Sequence, residues 1–394
     1  MLRFLEGSRA IAETIKLCRP DVVAVYPITP QTHIIENLAE FKSLGQADFE
    51  YLKMESEMAA ASAVLGASAA GARVYTASAS QGLLLMTEVL FNIAGLRLPV
   101  VLTCANRAVS APVNIWNDEQ DAMTLRDAGW IMFFAEDNQE AADLHILSYK
   151  ISEATNLPVM VCMDGFSLTH TFEPVEIRDQ KLVNKFLPRR KLISGQYLNP
   201  QNPITLGGIS SPENYMPLRE KLHQDLIGSK KIIQKTFAEF NKLFTKSPSV
   251  SPFEKGGLRG ISNGFIEYVG PRNPKLMIIA MGSILGTIRA TFVEKKISDK
   301  VGILKIKCYR PFPDAEISKI ILQIRPKHVA VLDRAISLGQ GGILAGEIKN
   351  LCPIGMVSNF IVGLGGKDVT PKDIEKIIKQ SLNDKTCTTR FYDK

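Results

Sequence analysis

The stretch VVAVYPITPQTHIIENLAEF, residues 22–41, decides the fold. Its first four residues are an apolar run of the kind a buried strand uses. Its second half sets Ile34, Ile35, Leu38 and Phe41 at helical spacing, the mark of a helix with one face turned to a core. Between them, two prolines and two threonines fall within six positions. A strand-to-helix turn needs turn residues, but not one this rigid and rich in hydroxyls. Thr29, held between prolines, reads either as a helix cap or as a hydroxyl positioned for a ligand.

The strand–helix unit recurs on both sides of this stretch. Candidate strands at Val22–Tyr26, Arg73–Ala77, Pro99–Cys104, Trp130–Ala135 and Pro158–Met163 are mostly followed by helical patterns. Buried runs without alternation predict a parallel sheet covered on both faces. The helix at 57–70, EMAAASAVLGASAA, carries small side chains on every side and is expected at the centre. Residues 171–215 read as irregular, and Tyr215–Phe244 as a polar helix. The segment 245–264, TKSPSVSPFEKGGLRGISNG, reads as an exposed linker or insertion, open to proteolysis at Lys246, Lys255 or Arg259. A second alternation follows, with strands Leu276–Ala280, Val301–Ile306 and Val329–Leu332 and helices at 284–296, 314–324 and 341–351. The expected architecture is α/β throughout: one domain at 1–244, a linker at 245–264, and a smaller domain at 265–394.

Composition narrows the class. A chain of 394 residues can bury two cores. Its 45% hydrophobic and 22% charged content is that of a globular protein. The net charge of +7 comes without a dense basic stripe, which argues against nucleic acid as a partner. None of the six cysteines forms a C-x-x-C pair, so neither an iron–sulfur cluster nor a structural zinc site held by cysteines is expected, and no metal ligand is assigned. No apolar stretch approaches the roughly 20 residues that span a bilayer, and the start, MLRFLEGSRA, has no leader pattern. The expectation is a cytoplasmic, reduced protein with no membrane span.

Three loops fall at the carboxyl ends of the first strands, where open α/β sheets bind ligands. They are YPITP, TASASQGLLLM and TCANRAVSAPVNIWNDEQD. Glu57 opens the small-residue helix. On position alone it is a partner for the helix dipole, but the apolar helix would draw it inward, where a carboxylate requires a donor. Arg107 sits among Cys104, Ala105, Ala108 and Val109. Its fork suits a carboxylate, with a surface arginine as the plain alternative. Gly82 marks a strand-to-helix turn, and LGQGGILAGE at 338–347 reads as close helix packing rather than a phosphate loop.

YPITPQT, MESEMAA, ASQGLLLMTEVL, NRAVSAPVNIWNDEQD, MDGFSLTH and YRPFP occur in this order. Together they resemble the alpha subunits of pyruvate:ferredoxin oxidoreductases, in the 2-oxoacid:ferredoxin oxidoreductase family. That resemblance implies a thiamine diphosphate site in a pyrimidine-binding α/β domain, followed by a transketolase C-terminal-like domain. It implies that Glu57, rather than Glu55, bonds the pyrimidine N1′ as the catalytic group. Gln81 and Gly82 contact the cofactor, and Thr29 and Arg107 hold the 2-oxoacid. Mg2+ and [4Fe-4S] clusters belong to partner subunits, since the chain lacks a GDG…N pattern and cluster cysteines. Beta, gamma and delta subunits, ferredoxin, pyruvate and coenzyme A are the implied partners. Enzymes for 2-oxoisovalerate, 2-oxoglutarate or oxalate, and a non-catalytic scaffold subunit, are the alternative readings.

Overall fold

The computed structural model describes residues 2–244, 259–295, 297, 300–353, 355–383 and 388–392. The first half runs β1 (Leu2–Glu6), α1 (Gly7–Cys18), β2 (Val22–Val25), α2 (Thr32–Ser43), β3 (Glu50–Lys53), α3 (Glu57–Ala69), β4 (Val74–Ser78), α4 (Ser80–Leu85) and α5 (Thr87–Gly95). It continues with β5 (Val100–Asn106), α6 (Gln120–Thr124), β6 (Ile131–Phe134), α7 (Asn138–Thr155), β7 (Val159–Asp164), β8 (Phe172–Glu176), α8 (Gln180–Phe186) and α9 (Pro212–Phe244). The second half has β9 (Arg259–Ser262), β10 (Ile266–Gly270), β11 (Leu276–Ala280), α10 (Ile284–Lys295), β12 (Val301–Ile306), β13 (Cys308–Arg310), α11 (Asp314–Ile324) and β14 (Val329–Asp333). It closes with β15 (Ile336–Ser337), β16 (Gly341–Gly342), α12 (Ile343–Lys349), β17 (Val357–Ile361), α13 (Pro371–Asn383) and β18 (Thr389–Phe391).

Two seven-stranded sheets organise the chain, in the orders β13-β6-β7-β5-β4-β2-β3 and β18-β17-β14-β11-β12-β10-β9. The central strands of both pair in parallel, while β10, inside the second sheet, pairs antiparallel with β12 and β9. Strands β4, β5 and β7 are buried at every position, as parallel strands covered by helices must be. Helices α1, α2, α7 and α9 pack as one group, and α3, α4, α5 and α6 as another. The small residues of α3 let it press directly onto β2 and β4, burying Ala60, Ala61 and Val64 completely.

The sequence reading needs correcting in three places. The stretch expected to be irregular at 171–215 contains β8, paired antiparallel with β1, and α8. The expected linker at 245–264 is not free along its whole length. Residues 245–258 lie outside the described residues, but 259–262 form β9, the antiparallel edge partner of β10. An edge strand needs only backbone pairing, so it leaves no apolar signature. The boundary at 265 is also crossed by β13, which leaves the second half to pair with β6 in the first sheet. For Thr29 the structure removes the cap as an alternative, because α2 begins at Thr32 behind Gln31.

The two halves are locked by buried charge. Lys305 bonds Glu136 and Glu140, and Arg289 bonds Glu136 and Glu267. Burial opposes the Glu140 charge, yet Lys305 and Lys307 hold its pKa well below the ordinary carboxylate range. Five cysteines, Cys18, Cys104, Cys162, Cys308 and Cys352, are free thiols. Among the described residues no helix is long and apolar enough to cross a membrane.

Candidate active site

The order β3-β2-β4-β5 reverses between β2 and β4. That reversal opens a crevice at the carboxyl ends of the strands, the place where such sheets take ligands. The loops after β2, β4 and β5 meet there.

The turn after β2 is pinned from within. Gln31 is fully buried; its Nε2 donates to the Ala77 carbonyl at 2.9 Å, and its Oε1 accepts from the Ile28 N–H at 3.3 Å. Pro30 packs against Gly165, where a Cβ would lie 2.4 Å from the proline ring. The anchoring leaves Thr29 exposed, with its hydroxyl bonded to none of the described residues.

Glu57 stands at the first position of α3, behind a true cap: Ser56 Oγ accepts the Ala59 N–H at 3.1 Å. Glu57 is only 7% exposed, whereas Glu55 is exposed. No donor among the described residues bonds the Glu57 carboxylate. Gly82 explains how it fits: a Cβ there would come within 2.5 Å of Glu57 Oε1. Next to it, Gln81 keeps a buried Nε2 without a partner.

Arg107 reaches across to the Thr29 turn. Its Nη1 donates to the Thr29 carbonyl at 3.0 Å and its Nε to the Asn114 carbonyl at 3.1 Å. It pairs with no carboxylate among the described residues. Two carbonyls orient the fork and leave its charge uncompensated. Thr29, Glu57, Gln81, Gly82 and Arg107 are thus brought to the connections that follow β2, β3, β4 and β5, around one crevice.

Asp121 is a residue the sequence reading missed. It is fully buried, and its carboxylate takes the backbone N–H of Ser80 at 2.8 Å and of Arg107 at 3.0 Å, together with Asn106 Nδ2 at 2.8 Å. Burial raises its pKa, opposed by those same donors. Asp121 therefore fixes the β4 and β5 loops to each other, and holds Ser80 at φ 48, a left-handed conformation costly for a non-glycine residue. A lone aspartate in a five-residue helix carries no periodic signal, which is why it was overlooked.

The second half grips the Arg107 loop from outside. Asn114 Nδ2 donates to the Gly365 carbonyl, the Gly366 N–H to the Asn117 carbonyl, and the Glu119 N–H to the Arg334 carbonyl. At Gly366 (φ 77) a Cβ would lie 2.2 Å from Trp116 Cβ, so that loop closes only around glycine. Trp116 in turn begins a ladder of rings: Phe166 at 4.7 Å, His170 at 4.8 Å beyond it, and His33 at 4.5 Å after that. The crevice itself is an open edge. Two half-open clefts, of about 840 Å³ beside Phe237 and Lys307 and about 540 Å³ beside Leu222 and Arg310, are lined by none of the candidate residues.

Residues 13–238 match the family described as pyruvate flavodoxin/ferredoxin oxidoreductase, thiamine diphosphate-binding, and residues 275–374 match pyruvate:ferredoxin oxidoreductase core domain II. The chain belongs to this family. It is 44% identical to the pyruvate synthase subunit PorA of Methanocaldococcus jannaschii, over 96% of this chain and 94% of that one. It is 42% identical to the subunit PorA of Methanothermobacter thermautotrophicus, over 99% and 97%. The ketoisovalerate oxidoreductase subunit VorA of Pyrococcus horikoshii is 40% identical over 95% and 92%. Among solved structures, the 2-oxoglutarate:ferredoxin oxidoreductase of Magnetococcus marinus superposes with a TM-score of 0.71 at 21% identity, over 97% of this chain and 65% of that one. A split-gene transketolase superposes at 0.53 with 10% identity, over 97% of this chain and all of the other. These two share the fold, a thiamine-type α/β domain followed by a transketolase C-terminal-like one.

Proposed function

We propose that this chain is the subunit of a pyruvate synthase that grips the aminopyrimidine of thiamine diphosphate. The complete enzyme, with beta, gamma and delta subunits, would convert pyruvate and coenzyme A to acetyl-CoA and CO2 and reduce ferredoxin in the cytoplasm. The observation that carries the reading is Glu57: a buried carboxylate with no donor among the described residues, lodged against a glycine in the crevice of a thiamine-family sheet.

The residues fit the cofactor. A buried carboxylate without a donor is costly, and a pyrimidine nitrogen carrying a proton would satisfy it. Gln81 Nε2 would serve an acceptor of the same ring. When bound, thiamine diphosphate supplies the acidic thiazolium carbon that 2-oxoacid decarboxylation requires. Glu57 holds the proton at the pyrimidine ring nitrogen and so tunes the basicity of the ring's amino group. Arg107 takes the substrate carboxylate with a fork already oriented by two carbonyls. The exposed Thr29 hydroxyl orients the 2-oxo group. The exposed Met58, Leu85, Val113 and Trp116 flank these residues and suit the surface of a partner subunit that excludes water.

A second reading, 2-oxoisovalerate as substrate, is favoured by the 40% identity to a ketoisovalerate oxidoreductase subunit. The assembled complex, assayed with pyruvate, 2-oxoisovalerate, 2-oxoglutarate and oxalate, separates them. The highest kcat/KM is expected for pyruvate; a preference for the branched acid overturns the substrate, and no activity with any 2-oxoacid overturns the enzyme assignment.

A further inference from the structure

Glu6, His33 and His170 come from three separate segments: the end of β1, the first turn of α2, and the turn after β7. Each offers a ligand atom, and these atoms lie within 4.8 Å of one another. Neither the substrate crevice nor the thiamine reading uses them. We propose that they form a binding site for one divalent transition-metal ion of the Zn2+ class, bracing the Thr29 turn from behind.

The donor set selects the ion. Two imidazoles and one carboxylate suit Zn2+ or Co2+, while Mg2+ and Ca2+ favour oxygen ligands. The surroundings orient the ligands as a metal site demands. The Nδ1 of His170 bonds the Thr169 hydroxyl at 2.7 Å, and with Nδ1–H donating to that oxygen the Nε2 is left to ligate. Thr169 is itself fully buried, and its hydroxyl accepts the Phe166 N–H at 2.8 Å. Outer partners of this kind fix ring orientation in metal sites. On the other side, the Ser8 N–H and hydroxyl both bond the Thr169 carbonyl, at 2.9 Å and 2.8 Å, and the Gly7 N–H bonds Thr171 at 3.1 Å. Glu6 and His170 are thereby held together by their neighbours' backbones.

Without metal, His33 Nδ1 bonds Glu6 Oε1 at 2.7 Å. Zn–N and Zn–O distances of about 2.0–2.2 Å place tetrahedral ligand atoms roughly 3.3–3.5 Å apart. Side-chain adjustment alone would close the cluster on an ion, with water at the fourth position and release of any proton shared by His33 and Glu6. An ion there would tie the segment next to Thr29 to the turn that packs on Pro30 and, through Phe166, on Trp116.

The test is metal titration of the full chain after chelator treatment. Zn2+ is followed by equilibrium dialysis and Co2+ by the visible absorption of a tetrahedral site. One ion per chain is expected. His170→Ala and, independently, the surface change His33→Gln should each weaken binding at least 100-fold, and Thr169→Val by about 10–100-fold. His223→Ala, on the exposed face of α9, should leave binding unchanged. Absence of stoichiometric Zn2+ or Co2+ binding, or binding indifferent to His33→Gln, overturns the site.

Discussion

The two sheets present the same crevice and use it in opposite ways. In the first, strand order reverses between β2 and β4; in the second, β12-β11-β14-β17 reverses between β11 and β14. At the first crevice a carboxylate, an arginine, an amide and a hydroxyl stand without charged partners. At the second, Asp164 of the first half enters as if it were the ligand. It accepts the Ser283 N–H at 2.9 Å and Arg334 Nη1 at 2.6 Å, and lies against the Ser283 hydroxyl. The amino end of α12 is occupied too, by Asp333, which takes the Leu344 N–H at 2.7 Å and the Ala345 N–H at 3.2 Å. One fold therefore yields a site where the charged groups are left over and a joint where Asp164, Arg334 and Asp333 are paired, with only Glu119 Oε1 and Asn117 Nδ2 beside them lacking a partner among the described residues. Arg107 and Arg334 each directly follow a buried parallel strand, yet only Arg107 lacks a carboxylate partner among the described residues.

That contrast can be broken by substitution. Glu57→Ala in the assembled complex should lower turnover about 10²–10⁴-fold, the usual worth of a positioned acid–base group, with an unchanged melting temperature. Arg334→Ala should do the reverse. It leaves Asp164, only 2% exposed, as an uncompensated buried charge, costing about 3–5 kcal/mol of stability. A melting curve unchanged by Arg334→Ala would show that the joint is not held by this pair. Arg107→Ala is the matched probe: kcat/KM should fall roughly 30-fold or more, the worth of a desolvated charge-assisted pair. Arg107→Lys should recover little of it. A lower melting temperature with normal KM would instead make Arg107 structural.

A smaller effect concerns pH. Burial pushes the Asp333 carboxyl up to about 7, against the pull of its backbone donors. The folded chain then holds a proton that the unfolded chain has lost, so this group lowers stability as pH rises from about 4 to about 7 and not beyond. The melting-temperature difference between the wild-type chain and Asp333→Asn should shrink or turn negative through that window, then stay flat. A difference independent of pH would place the Asp333 proton elsewhere.

Much of this was legible in the chain because buried parallel strands are continuous apolar runs. Leu276–Ala280 and Val301–Ile306 coincide with β11 and β12. The crevice loops were legible because proline, glycine and isolated charges fall just after such runs. What could not be read was pairing between distant segments. β13 adds three residues to the first sheet by pairing with β6, more than 170 positions earlier in the chain, and nothing in CYR announces it. Asp121, Asp164 and Arg334 are likewise ordinary charged residues until folding sets Asp121 under two loops and the other two against each other. His33 and His170 were each inside a quoted block, but only the stacking of their rings joins them.

The most direct test of the central claim is exchange of the thiazolium C2 proton of thiamine diphosphate bound to the assembled complex, followed by NMR after quenching. Glu57→Ala should slow exchange by at least 100-fold while Glu55→Ala, at an exposed position, leaves it near the wild-type rate. A slowing of less than threefold by Glu57→Ala, or an equal slowing by Glu55→Ala, would contradict the account.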